Sequence, residues 1–221
     1  MTAQLPSLEP VVFERLGQTH VPQLALFHSQ NLGGQLTWLG PSFIRYFYET
    51  SLKLPGTFGW GSFRKDELVG FVFGSADGES LLKRIIQKNP LQWGAHSLRS
   101  ALIHPFRFSR VAWGLLQGLF HGVHSEQPEL HYIAVRADQR GRHMGGKLLH
   151  YFCTELSARG PTHFELSVGR DNREALRFYE ANGGQVIGDY ETAGLKMKRF
   201  SFSVQRILNK EGPLSPMDSP S

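Results

Sequence analysis

The chain has 221 residues, of which 40% are hydrophobic and 19% charged. That is long enough to bury a core, and the balance excludes a disordered chain or a coiled coil. It contains no apolar run of about eighteen residues, which excludes a transmembrane helix, and its formal charge is +5.

The opening MTAQLPSLEP carries neither a basic region nor an apolar stretch, so no secretory signal is expected. The single cysteine, Cys153, allows no internal disulfide framework and suits a reducing compartment; a cytoplasmic location is the expectation. The excess charge is concentrated. Between Ser80 and Ser125 stand Lys83, Arg84, Lys88, Arg99, Arg107 and Arg110, with no Asp or Glu. The rest of the chain is near neutral, so no general affinity for nucleic acid is expected.

In chain order, residues 1–9 read as a loose arm and Val11 to Leu16 as a short strand. Val21 to Leu32 place apolar residues at helical spacing and end at Gly33-Gly34. Ser42, after Pro41, sits at the start of a second helix that carries Phe43, Ile44, Phe47 and Leu52. Phe58 to Phe63 and Leu68 to Gly74, joined by Arg64-Lys65-Asp66-Glu67, form a hairpin pattern. The acid-free segment follows, cut by Pro90 and Pro105 into about three helical pieces. Leu130 to Val135 is rich in strand formers. After a polar loop, Met144, Leu148, Leu149, Phe152, Cys153 and Leu156 form one helical stripe that stops at Gly160-Pro161. Thr162 to Val168 is a strand, Asn172 to Asn182 a helix, and Val186 to Tyr190 and Leu195 to Val204 two closing strands. From residue 207 the composition reads as a disordered tail, which leaves one domain over residues 1–206. Strands alternating with helices predict an α/β fold around a mixed sheet.

The stretch from Glu129 to Leu149 runs strand, Gly/Arg loop, helix start. Such a loop turns successive backbone N–H groups outward at the positive end of a helix and makes a cradle for an anion, most naturally phosphate. Arg140, Arg142 and Lys147 add formal charge nearby. Glu129 and His131, two apart on a strand, are expected to share a face, and His131 has an intrinsic pKa suited to proton transfer near neutrality. His121 and His124 are three apart, but no carboxylate or cysteine joins them at ligand spacing, so no metal site is expected.

Arg140-Gly141-Arg142-His143-Met144-Gly145 resembles the acyl-CoA-binding motif of the GNAT superfamily of N-acetyltransferases, (Gln/Arg)-x-x-Gly-x-(Gly/Ala), with His143 in place of the first glycine. A second stretch, Asn172-Arg173-Glu174-Ala175-Leu176-Arg177-Phe178-Tyr179 through Gly183-Gly184, resembles the family's Asn-x-x-Ala-x-x-Phe-Tyr signature, departing at Gly184 where Phe is usual. The two matches lie in register with a strand between them. The resemblance implies a mixed, mostly antiparallel sheet with a splayed central strand pair, helices on both faces and a helical insert over 80–125.

It also implies acetyl-CoA as cosubstrate. The pantetheine would lie along Ile133, Ala134 and Val135. The pyrophosphate would sit on Arg140, Gly141, Arg142, His143, Met144, Gly145 and Gly146, with Asn172 close by. A primary amine would attack directly, with Tyr179 as general acid and Glu129 or His131 as base. Dimers are common in such a family.

The acceptor is expected to be a small amine; the basic insert motivates an amino sugar or sugar nucleotide. Three readings of the basic insert stay open. It is a solvated face covering the acceptor side, an attractor for an anionic acceptor or CoA, or a peripheral membrane contact, since Trp93, Phe106, Phe108, Trp113 and Phe120 interleave with its cations. A CoA-binding protein with lost catalysis, acting through the insert, is the second function. A dinucleotide enzyme is the third: Glu165 is suitably spaced from Gly145, but G-x-G-x-x-G is absent.

Overall fold

A computed structural model describes residues 10–78, 80–121 and 127–211; the N-terminal arm expected over 1–9 lies outside them. Seven strands form one sheet in the order β1-β2-β3-β4-β5-β7-β6. They are β1 (Val12–Arg15), β2 (Thr57–Arg64), β3 (Glu67–Ser75), β4 (Glu129–Val135), β5 (His163–Gly169), β6 (Gln185–Thr192) and β7 (Leu195–Ser203). Every neighbouring pair is antiparallel except β4 and β5. The expected mixed, mostly antiparallel sheet is therefore present.

Local chemistry explains the elements. Lys65 and Asp66 both adopt positive φ, 49° and 61°, giving the two-residue turn whose twist matches the β2–β3 hairpin. The helices are α1 (Val21–Asn31), α2 (Gln35–Trp38), α3 (Pro41–Ser51), α4 (Leu81–Lys88), α5 (Pro90–Ile103), α6 (Pro105–His121), α7 (Met144–Arg159), α8 (Arg173–Ala181) and α9 (Val204–Glu211). Pro90 opens α5 at a position where a missing N–H costs nothing, and Asn89 caps it by accepting from the Gln92 N–H at 3.3 Å. Asn172 caps α8 in the same way, accepting from the Ala175 N–H at 3.1 Å. The short helix α2, between Gly34 (φ 103°) and Gly40 (φ 91°), was hidden in the sequence by the glycines on either side.

The boundary expected at residue 206 falls inside a helix. α9 continues to Glu211 and buries Val204 and Ile207 against α7 and the sheet, so the ordered domain extends past the expected tail start. Val204, expected to end a strand, begins that helix. The Pro/Ser-rich stretch after it dominated the composition and masked the pattern Val204, Ile207, Leu208.

The sheet separates two apolar layers. On one side α7 buries Leu148, Leu149, Phe152, Cys153 and Leu156 against Phe58, Val72, Phe164 and Phe202. Cys153 has no exposure there and burial raises its thiol pKa, consistent with a packing role. Gly74 is required at this contact, because a Cβ there would lie 2.4 Å from the Glu129 carbonyl oxygen and 2.7 Å from Phe152. On the other side α1 and α3 cover β3 and β4 through Leu24, Phe27, Phe43, Ile44, Phe47 and Tyr48.

Within that second layer His28 is fully buried. Its Nδ1 is 2.7 Å from the Tyr48 hydroxyl and its ring centroid 4.8 Å from that of Tyr132. Burial pushes its pKa down from 6.5 to about 4. The unfolded chain therefore takes up this proton first as pH falls, so the contribution is complete above 6.5 and is lost towards 4. We expect urea unfolding to show about 3 kcal/mol of stability lost from this group between pH 7 and pH 4. His28→Gln should flatten that slope, and an unchanged slope would assign it to other groups.

Candidate functional site

β4 and β5 form the site by failing to stay together. They pair at one register position, Glu129 with Glu165, and diverge after it. The other edge of β4 remains paired with β3 as far as Val135. The backbone groups of residues 132–135 that point towards β5 consequently lack a strand partner there. Such an edge is competent to receive an extended chain by strand addition.

Into this gap opens a cavity of about 570 Å³. Ile133, Ala134, Val135, Arg140, Gly141, His143, Met144, Gly145, Gly146, Asn172 and Tyr179 line it. Both sequence motifs thus meet at one place. Arg142 is exposed and does not line the cavity. The charge expected from the loop is also reduced. Arg140 donates to Glu174 at 2.7 Å, and Lys147 stands 5.7 Å over the Phe13 ring, away from the cavity.

What remains is a backbone cradle. No side chain caps the N-terminus of α7, so its first N–H groups have no acceptor from the cap. Gly141 (φ 75°) has open space where a Cβ would project, whereas a Cβ on Gly145 would meet Phe178 at 3.1 Å. The loop backbone is accessible, and the donor set fits a phosphate. Residues not anticipated from sequence also line the cavity: Asn31, Gln139, Phe178 and Lys210 among them. Lys210 comes from α9 and donates to the Ala181 carbonyl at 2.9 Å and to Asn182 Oδ1 at 3.1 Å. The amphipathic spacing of Val204 to Leu208 was the signal that could have placed it.

Tyr179 is buried against Phe200 and Phe202, and burial raises its pKa. Its hydroxyl remains a donor throughout the working pH range. Glu129 and His131 lie outside the cavity lining, at the narrow end of the gap. His131 Nδ1 is 3.7 Å from Glu129 Oε2, and Nε2 is 3.3 Å from Ser75 Oγ.

They are neighbours as expected, but simple alternation is not the reason. Gly74 pairs with Leu130 and Phe73 with Tyr132, so His131 is an extra residue in β4, a bulge. Leu130, Ile133 and Val135 pack on the α7 side, while Tyr132 and Ala134 pack on the α1/α3 side. The inward set switches from even to odd at His131. Burial lowers the His131 pKa, opposed by the Glu129 carboxylate, so the ring is a neutral base near pH 7.

The face of β5 and β7 turned away from α7 is polar. It carries Glu165, Ser167, Arg199 and Ser201, and Arg199 Nε donates to Glu165 Oε2 at 2.6 Å. The α6 helix closes towards this face, and Arg110 reaches the Ala193 carbonyl in the β6–β7 turn at 3.4 Å. The six insert cations stand in different surroundings. Arg84 pairs with Asp77 at 2.8 Å, Arg110 meets the turn, and Lys83, Lys88, Arg99 and Arg107 are exposed. Among the described residues no group of three or more His, Cys, Asp or Glu is placed to hold a metal ion; His124 lies outside them.

A split sheet with accessible backbone N–H groups at the head of a helix is suited to a phosphate-bearing carrier with an extended arm. The sequence matches the Acetyltransferase (GNAT) family over residues 25–183, and the chain belongs to that family. It is therefore an acyl-CoA-dependent N-acetyltransferase with acetyl-CoA as cosubstrate. Solved structures share the fold. The ribosomal-protein-S18-alanine N-acetyltransferase from Escherichia coli aligns with TM-score 0.55 at 13% identity, over 88% of this chain and 94% of its own. PaiA N-acetyltransferase from Thermoplasma acidophilum, solved with coenzyme A, gives 0.53 at 12%, over 87% and 99%. The spermidine/spermine N-acetyltransferase SpeG from Vibrio cholerae gives 0.53 at 10%, over 91% and 98%. Comparison by sequence with curated proteins returned no match.

His143 occupies the motif position where the family uses glycine, and its backbone is left-handed, φ 57° and ψ 9°. That conformation costs a non-glycine residue roughly 1–2 kcal/mol, partly offset in the unfolded state for glycine. We expect His143→Gly to raise stability by up to about 1 kcal/mol in thermal unfolding; a clear loss would show that the imidazole contributes contacts that outweigh the strain.

Proposed function

We propose that the protein transfers an acetyl group to the primary amine of a small, anionic acceptor such as an amino sugar or sugar nucleotide. The carrying observation is the convergence of both motifs on one cavity beside the unpaired edge of β4. Acetyl-CoA supplies the activated thioester. Ile133, Ala134 and Val135 offer backbone groups to an extended arm, and residues 140–146, without Arg142, offer N–H donors to phosphate.

The amine approaches on the face where Glu129 and His131 meet and must lose a proton to attack. His131, kept neutral by burial, accepts it directly or through water, and Glu129 then balances the imidazolium at 3.7 Å. The reverse assignment, Glu129 as base with His131 orienting it, uses the same pair. Tyr179, protonated throughout, donates a hydrogen bond from the cavity wall to the departing sulfur. Because its pKa is raised, full proton transfer to a thiolate is uphill. Support for an anionic acceptor is Arg110, the insert cation that reaches the β6–β7 end of the polar face of β5 and β7.

We expect Tyr179→Phe to lower kcat about a hundredfold with little change in acetyl-CoA affinity by calorimetry; an unchanged kcat would place the donor elsewhere. With His131 as base, the acid limb of kcat/KM should inflect below 6.5, because burial lowers its pKa. If His131 is the base, His131→Gln abolishes the limb and Glu129→Gln only displaces it. Turnover restricted to peptide amines in an acceptor panel would overturn the sugar reading.

A further inference from the structure

The outer face of the insert has the opposite polarity to an ordinary surface helix. In α5, Ser100 is buried, with its hydroxyl on the Leu39 carbonyl at 3.0 Å, and Trp93 packs against Phe43. The opposite crest is formed by Leu91, Leu98 and Leu102, spaced i, i+7 and i+11, which are 85%, 63% and 76% exposed. Ile103 and, on α6, Phe106 and Trp113 are exposed as well, Phe106 at 85%. Six of the ten exposed large hydrophobic residues of the described chain fall in these 23 positions. Isolated exposed leucines are ordinary; a contiguous crest is not.

The charges that the insert itself carries around this crest are of one sign. Arg99 lies next to Leu98 and one turn from Leu102 and Ile103; Arg107 follows Phe106 in the first turn of α6. Both are exposed, as are Lys83 and Lys88 on α4, and no acid occurs from Ser80 to His121. We propose that α5 and the first half of α6 form a docking surface for an anionic lipid bilayer, on which the enzyme rests. The leucine crest and Phe106 enter the headgroup boundary, while Arg99 and Arg107 contact lipid phosphates. No helix among the described residues is long and apolar enough to cross a membrane, so the contact is with the surface. Charge complementarity selects this occupant over a second copy, since a two-fold face would set these cations against each other.

The test is co-sedimentation of the full chain with vesicles of phosphatidylglycerol or of phosphatidylcholine. Binding should occur to phosphatidylglycerol, be weak on phosphatidylcholine and fall with added salt. Leu98→Glu/Leu102→Glu should abolish it, and Arg99→Gln/Arg107→Gln should weaken it about fivefold per cation removed. All four positions are exposed, and acetylation of a soluble test amine by each variant should equal that of the parent, which confirms folding. Equal binding to both vesicle types, no binding to either, or a concentration-dependent dimer broken by the leucine variants would overturn the proposal.

Discussion

The structure depends on one parallel strand pair that is allowed to form only at its base. Antiparallel neighbours on either side hold β4 and β5 in place, β3 on one and β7 on the other. Full pairing between them would satisfy the backbone and close the sheet. Pairing at Glu129 and Glu165 alone leaves an edge of hydrogen-bonding groups inside the fold. Exposed edges are ordinarily a liability. Here the edge lies beneath α7 and α8, shielded from other chains and open to an extended ligand. The apolar layer under α7 holds the gap in shape, because Phe164, Leu166 and Val168 anchor β5 from the same side as Leu130, Ile133 and Val135 anchor β4.

The bulge at His131 is the second device, and it follows from the first. β4 must present apolar side chains to α7 before and after the point where it parts from β5. An extra residue at that point changes which side chains face α7 and sends His131 towards Glu129 and Ser75. Gly74 opposite the bulge permits the close approach, since any side chain there would strike the Glu129 carbonyl. The Glu129–His131 pair that we propose as catalytic thus stands at the junction where the strands part.

Much of this was legible in the sequence, and the exceptions have physical causes. Strand and helix order followed from periodicity, and the stripe from Met144 to Leu156 is the buried face of α7. Tyr179 and the loop 140–146 were singled out by the resemblance of their two motifs to the GNAT pattern. The bulge was not legible, because an inserted residue leaves no mark in a short strand with apolar residues on both faces. α2 and α9 were missed for the opposite reason: strong local signals, paired glycines and a Pro/Ser-rich tail, outweighed short helical patterns. Ion pairing of Arg140 with Glu174 joins residues far apart in sequence, so the loop looked more positive than it is.

Charge completes the separation of roles. The proposed cradle offers backbone donors, with Arg140 paired to Glu174 and Lys210 on the cavity wall, so a phosphate there would need little net charge. The formal excess is carried by the insert, and within it only Arg110 is turned to the β6–β7 end of the polar face, while four cations are outside. Because Ser100 and Trp93 face inward and leucines outward, the insert cannot have been shaped only to cover the acceptor side. A cover needs an apolar inner face and a polar outer one. The observed distribution fits two boundaries at once, a protein layer below and, as proposed, a low-dielectric, negatively charged layer above.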